Sequence, residues 1–235
     1  MNAQQPLEIA YFSDVLCVWA YAAQIRVDEL KAHFGEKIRI SYHFLPIFGC
    51  TESRIGTAWK DRGGYAAYAE HVRGVCDGFP HLDVHPEVWE RNIPRASASA
   101  HHLLKAAQLL EEAEVIDAGP RADFGGRSLF EELTWRLRLA FFRDLQDVGE
   151  EEIQLHIAEA LGLPRAEIER RLRNGEAMAA MCRDLDLREK YRVEGSPTYI
   201  LNHGRQKLYG NVGYKIIEAN VQEVLFRSEN QASWC

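Results

Sequence analysis

Hydrophobic positions along this chain follow two different periods, and the places where the period changes divide it into parts. Leu7 to Phe12 is a short, largely apolar run, as expected of a central strand buried on both faces. From Cys17 to about Phe34 the spacing becomes helical, with Ile25, Leu30 and Phe34 recurring on one face and Gly35 placed as a helix stop. Ile38, Ile40, Tyr42 and Phe44 then alternate with polar residues, a period-two strand that Pro46 ends. The chain thus opens as strand, helix, strand, and a right-handed crossover makes those strands parallel.

Between about Trp59 and Lys190 the periodicity is helical and strand signals are nearly absent. Ser97 to Glu114 forms one predicted helix. Ser128 opens another, with Glu131 completing a capping box and Phe130, Leu133, Leu137 and Phe141 on its apolar stripe. Glu150 to Leu161 is closed by Gly162, Pro164 starts a short helix that ends near Gly175, and Ala177 to about Lys190 follows. Strand signals return at Pro197 to Leu201. Asn202-His203-Gly204 is turn chemistry, and Gln206 to Tyr209 pairs back as a hairpin. A last helix spans about Tyr214 to Phe226, and Ser228 to Cys235 reads as a loose tail. The expected fold is α/β: βαβ, an all-helical insertion packed on the sheet, then ββα. No repeat or low-complexity tract is present.

Composition narrows the function classes. The 235 residues are 46% hydrophobic and 27% charged, ordinary for a soluble globular protein. A net charge of −7 argues against nucleic acid or an anionic membrane as partner. Met1 to Pro6 shows neither a basic nor an apolar leader region, and Val15 to Ala23 is too short to span a bilayer, so the expected location is the cytoplasm. The five cysteines (Cys17, Cys50, Cys76, Cys182 and Cys235) are odd in number and widely spaced, which suits free thiols better than a disulfide framework.

The candidate chemistry is at Cys17. The stretch Tyr11 to Tyr21 runs as an aromatic strand, turns through Ser13-Asp14 and starts a helix at Cys17. Unpaired N–H groups at a helix start favour thiolate over thiol, and thiolate is the nucleophile of disulfide exchange. A Cys-x-x-Cys motif needs a second cysteine at position 20, where this chain has Ala20. Redox chemistry at Cys17 must then finish with a thiol from elsewhere; Cys50 and the terminal Cys235 are the candidates within the chain. Asp14 is expected to cap the turn, and Cys182 to lie in the core with Met178, Met181 and Leu185. Trp59, Trp89 and Trp135 are expected in the core, and His101-His102 as surface or packing residues. Cys76, His81 and His85 lack a fourth ligand in an orderly motif and read as a surface loop, so no metal site is expected.

Strand–Ser-Asp-x-x-Cys-x-Trp–helix at one end and Val193-Glu194-Gly195-Ser196-Pro197-Thr198-Tyr199 at the other together resemble the thioredoxin fold. In that fold a cis proline before the third strand lies beside the active thiol. With the helical insertion, the phrase Asn92-Ile93-Pro94-Arg95-Ala96-Ser97 and the Leu139-to-Leu163 stretch, nearly the whole chain is similar to DsbA-like oxidoreductases of the FrnE-type branch. That branch is related to kappa-class glutathione transferases and 2-hydroxychromene-2-carboxylate isomerases. The resemblance implies a thioredoxin-like part at 1–57 and 192–235 around a helical insertion at 58–191. It implies Cys17 as the catalytic residue, with Ser196, Pro197, Trp19 and Ser13 contributing to substrate or glutathione binding.

Three functions remain open. The first is a monothiol thiol-disulfide oxidoreductase or isomerase with glutathione as co-substrate, no tightly bound cofactor, and glutathione or protein thiols and disulfides as partners. The second is a kappa-like transferase or isomerase in which Cys17 only positions the glutathione thiol, as serine does in those relatives. The third is a redox-inactive binding or chaperone-like protein, which Ala20 motivates. A homodimer is compatible with each.

Overall fold

A computed structural model describes residues 5–226; the expected loose tail and its Cys235 lie outside the described residues. Strand β1 (Leu7–Ser13) leads into α1 (Val18–Phe34) and β2 (Ile38–Phe44). Helices α2 (Gly64–Asp77), α3 (Ala98–Glu112), α4 (Leu129–Phe142), α5 (Glu151–Ala160), α6 (Arg165–Arg173) and α7 (Glu176–Tyr191) follow. The chain returns to the sheet with β3 (Thr198–Leu201) and β4 (Gln206–Tyr209), and α8 (Tyr214–Phe226) closes it. The sheet order is β2-β1-β3-β4. Strand β1 is parallel to β2, with Leu7 opposite Ile38 and Ser13 opposite Phe44, and antiparallel to β3, with Tyr11 opposite Tyr199. This is the expected α/β thioredoxin arrangement.

The central position of β1 explains its apolar run. On one face Ile9 and Tyr11 join the large core built with α1 and the helical block. On the other, Phe12 packs with Leu45, Val193 and Ile200. With both faces covered, each side chain of the strand must suit a buried environment. The Ser128–Glu131 capping box is present as expected: Ser128 Oγ accepts from the Glu131 N–H, and the Glu131 carboxylate accepts from the Ser128 N–H. Glu131 does more than cap, since it also pairs with Lys31 and accepts from the Tyr42 hydroxyl at 2.6 Å. One carboxylate thereby ties α4 to α1 and β2.

Several expectations are corrected. Leu30 and Phe34 are buried as expected, but Ile25 is 50% exposed, and α1 completes its buried face with Val18, Tyr21 and Val27. Helix α7 turns Met178 and Leu185 outward and leaves Cys182 exposed. It docks through the small residues Ala177 and Ala180 and the buried Asp184. Small side chains permit close helix approach, and Asp184 is fixed by Lys105 at 3.0 Å, His43 at 2.8 Å and the Phe44 N–H at 2.8 Å. The larger apolar residues, which suggested a core face, are therefore left on the outside. Of the tryptophans Trp89 is fully buried, while Trp59 and Trp135 are half-buried. Cys76 is not on a surface loop: it is buried in the last turn of α2, where burial pushes its thiol up to about 11. The described residues hold no cluster of three metal-ligating side chains.

Candidate active site

The site is built by the turn between β1 and α1. Asp14 Oδ1 accepts the Leu16 N–H at 2.8 Å, and the Asp14 carbonyl accepts the Cys17 N–H at 3.1 Å. Such an Asx turn bends the chain out of the strand and into a helix. Cys17 itself is the N-cap of α1, with extended backbone (φ −82°, ψ 116°), and its carbonyl accepts from the Ala20 and Tyr21 N–H groups. Its side chain does not cap the helix and points across the turn to the segment before β3.

There the Ser196–Pro197 peptide is cis, and the antiparallel pairing of β1 with β3, Phe12 opposite Thr198, brings it to the turn. The Cys17 thiol donates to the Ser196 carbonyl at 3.3 Å, and the Ser196 hydroxyl accepts from the Asp14 N–H at 2.9 Å. The flanking backbone is tied down: Thr198 Oγ1 donates to the Gly195 carbonyl at 2.7 Å, and Gly210 N–H to the Pro197 carbonyl at 2.9 Å. A side chain at Gly195 would displace the exposed Tyr209 ring. A Cβ there would lie 2.7 Å from the Tyr209 hydroxyl.

Two side chains lie behind the turn: Asp14, expected as its cap, and His101, which was not anticipated as a site element. Asp14 is fully buried, and Oδ2 accepts from the Phe48 N–H at 2.9 Å and Ser97 Oγ at 2.8 Å. This carboxylate joins the turn both to the segment after β2 and to the start of α3. His101, expected at the surface or in packing, is fully buried and accepts the Val15 N–H at Nε2, 3.0 Å away, with its ring stacked on Phe44. A nitrogen that accepts a hydrogen bond carries no proton. The 3.5 Å approach of Nε2 to Asp14 is therefore not an ion pair. A His at helical spacing gave no sign of this, because its partner lies 86 residues earlier.

The environment of Cys17 differs from the expectation drawn from the helix start. The residue is 7% exposed, and burial pushes its thiol up from the ordinary value. The Ser196 contact and the Ala20 and Trp19 N–H groups pull the other way, while the Asp14 charge adds to the rise; burial prevails. Helix α2 lies against the site: burial raises the Tyr68 phenol, and the nearby Cys17 charge adds to that rise, while the Tyr68 ring packs on Phe48 and Trp89. Trp19 is half-buried with its edge against Phe79. Ser13 is 1% exposed, and its hydroxyl accepts from Arg138 Nη2 at 3.2 Å, so it faces the interior and not an open groove. Cys50 has the opposite character from Cys17: it is exposed, and the Ser53 hydroxyl and N–H hold its thiol below the ordinary value. Large cavities of about 720, 690 and 540 Å³ have walls that include none of Cys17, Ser196 or Pro197.

No family model matches the chain. It is 24% identical over 231 residues to the ClpXP adapter protein SpxH of Bacillus licheniformis, covering 96% of this chain and 68% of that protein. In fold it is similar to the cytosolic disulfide reductase DsbM from Pseudomonas aeruginosa solved with GSH, with a TM-score of 0.64 and 16% identity over 92% of this chain and 100% of that one. It is also similar to 2-hydroxychromene-2-carboxylate isomerase, with a TM-score of 0.62 and 15% identity over 92% of this chain and 95% of that one. The thiol-disulfide exchange protein alpha-DsbA2 from Wolbachia pipientis matches with a TM-score of 0.54 and 12% identity over 95% of this chain and 84% of that one. These neighbours are DsbA-like thioredoxin-fold proteins, and at such identities the likeness establishes the fold.

Proposed function

We propose that this chain is a thiol-disulfide oxidoreductase that works through the single thiol of Cys17, with glutathione as co-substrate. The observation that carries this reading is the 3.3 Å approach of the Cys17 sulfur to Ser196 across the cis Ser196–Pro197 peptide, at the N-cap of a helix. A thiolate at that point attacks one sulfur of a bound disulfide and forms a mixed disulfide, and the other sulfur leaves as thiolate. A glutathione thiolate then attacks the mixed disulfide and frees the substrate thiol. A second glutathione regenerates Cys17 and leaves as oxidised glutathione. Ala20 makes the external thiol necessary, and the DsbM neighbour solved with GSH supports its choice. Ser196 and Pro197 form the backbone wall and Trp19 the flank, within a thioredoxin-like part at 1–57 and 192–235; Ser13 contributes from behind. A cytoplasmic location, with reduced glutathione at hand, suits this chemistry. No described helix is long and apolar enough to cross a membrane.

A second reading has its own support. The burial of Cys17 and its raised thiol fit a binding protein that has retained the fold without turnover, and the curated relative SpxH is an adapter. The kappa-like transferase reading calls for an apolar pocket beside Cys17, and the large cavities lie elsewhere. Replacement of Cys17 by serine separates the three. With a glutathionylated peptide as substrate, the monothiol enzyme loses at least ~100-fold in turnover. Retention of the wild-type rate would reject Cys17 as nucleophile. A wild-type protein with no turnover of any disulfide would leave the binding reading.

A further inference from the structure

Strand β2 is an edge of the sheet, and its Ser41 and His43, two positions apart, point to the same face. Their partners in β1, Ala10 and Phe12, share that face, where Leu187 and Tyr191 of α7 also pack. His43 stacks on Phe12 with ring centroids 4.8 Å apart. Its Nδ1 lies 2.8 Å from Asp184 Oδ1 on α7, and its Nε2 lies 3.1 Å from Ser41 Oγ. Burial of Asp184 favours its protonated form, but the His43 hydrogen bond, the Lys105 charge and the Phe44 N–H outweigh it and hold the carboxyl below its ordinary value. An ionised carboxylate only accepts hydrogen bonds, so His43 Nδ1 carries a proton. In the neutral ring Nε2 is then the acceptor, and the Ser41 hydroxyl donates to it. Hydroxyl, imidazole and carboxylate thus stand in series, the order that makes a serine an acyl-group nucleophile.

Tying β2 to α7 requires only His43 and Asp184. Ser41 is on the same strand as His43, and its bond to the ring joins no further element. Both side chains are half-buried and open onto two cavities. One, of about 190 Å³, has Ser41, His43, Lys105 and Gln108 in its walls. The other, of about 720 Å³, has Ser41 and His43 beside the apolar Leu7, Ala10, Leu187 and Ile200. Cys17 lines neither. We propose that Ser41, His43 and Asp184 form a second, hydrolytic site that cleaves small esters of short, apolar acyl groups. Ser41 Oγ bonds to the acyl carbon as its proton passes to His43 Nε2. The carbon–oxygen bond to the alcohol then breaks, and the leaving oxygen takes that proton. Water attacks the acyl-serine and gives a proton to His43. The bond to Ser41 breaks, Oγ recovers the proton, and a carboxylic acid leaves. Asp184 is the positioning residue that fixes the ring and its tautomer. Esters rather than amides fit this wall. Its donors Lys105 and Gln108 are already shared with Asp184 and the Tyr42 carbonyl, which leaves modest stabilisation for the acyl oxygen, and an alkoxide leaves more readily than an amide nitrogen.

The test treats the full chain with an alkyl fluorophosphonate, which phosphonylates base-activated serines, and locates the adduct by peptide mass spectrometry. The adduct forms on Ser41 in the native protein, not on Ser53 or Ser99, and Ser41 loses this reactivity on unfolding in urea. The same protein hydrolyses 4-nitrophenyl butyrate. The rate counted is the part that the fluorophosphonate blocks, because the exposed thiol of Cys50 also accepts acyl groups from this ester. Ser41→Ala abolishes that part, and His43→Gln lowers it at least ~100-fold. Asp184→Asn lowers kcat by about 100-fold with KM within about twofold, since an amide no longer fixes the tautomer. A residue that only holds α7 in place would instead lower the melting temperature and leave kcat of the folded protein unchanged. An absent Ser41 adduct in the native wild type overturns the proposal, whatever the variants do. So does equal labelling of Ser41 and Ser53, or a fluorophosphonate-blocked rate that persists in folded Ser41→Ala.

Discussion

Asp14→Ala is the perturbation whose size the structure defines best. The carboxylate is fully buried and receives the Leu16 N–H at 2.8 Å, the Phe48 N–H at 2.9 Å and Ser97 Oγ at 2.8 Å. A hydrogen bond to a charged acceptor contributes about 1.5–3 kcal/mol, and three such bonds give a nominal 4.5–9 kcal/mol. The three share one acceptor group, so their losses do not add, and water entering the space left by the side chain recovers part of the cost. The expected destabilisation is about 4 kcal/mol. For a chain of this size each kcal/mol lowers the melting temperature by about 2–4 °C, which places the fall at about 8–16 °C. Asp14→Asn retains one acceptor oxygen and is expected to lose about half as much. The assay is urea unfolding followed by tryptophan fluorescence, for which Trp89, buried 5.3 Å from Phe48, is a reporter at the joint itself. The midpoint should fall with the slope unchanged. A loss below about 1 kcal/mol in Asp14→Ala would refute the idea that this carboxylate joins the turn to the helical block.

Three other outcomes follow from the titrating groups. In the native wild type at neutral pH, Cys50 should be alkylated before Cys17, because its thiol is exposed and lowered while that of Cys17 is buried and raised; the reverse order would contradict both environments. The Cys17 rate should still be climbing above pH 9, the ordinary thiol value, and a plateau by pH 8 would count against its burial. Tyr11, Tyr42 and Tyr199 are all raised by burial, so above pH 10 they hold protons that the unfolded chain has released. The native state then binds more protons than the unfolded one, and stability falls as pH rises above 10. Phenolate absorbance from these three should appear together with unfolding, and their smooth titration in a folded protein would be the contrary result.

Much of the fold is legible in local sequence. The period-two pattern of Ile38 to Phe44, the apolar run of β1 and the Ser128–Glu131 box each encode an element through contacts within a few residues, and each element forms where expected. The meeting of the two candidate segments was legible too, because a turn residue before a helix-start cysteine and a small residue before a proline have local geometric consequences. Cys17 and Ser196 do meet. The electrical state of the site was not legible. The sequence shows the helix N–H groups that favour thiolate, but burial of Cys17 comes from α2 and the core around it, and desolvation outweighs those groups. His101 likewise acquires its place behind the turn from a partner 86 residues away. The exposure of Cys182 was hidden for the same reason: an apolar pattern identifies a candidate face, but packing through Ala177 and Ala180 chose another. Secondary structure and turn chemistry depend on neighbours along the chain, so the sequence alone determines them. Burial and charge depend on everything within several ångströms, and only the folded chain decides what that includes.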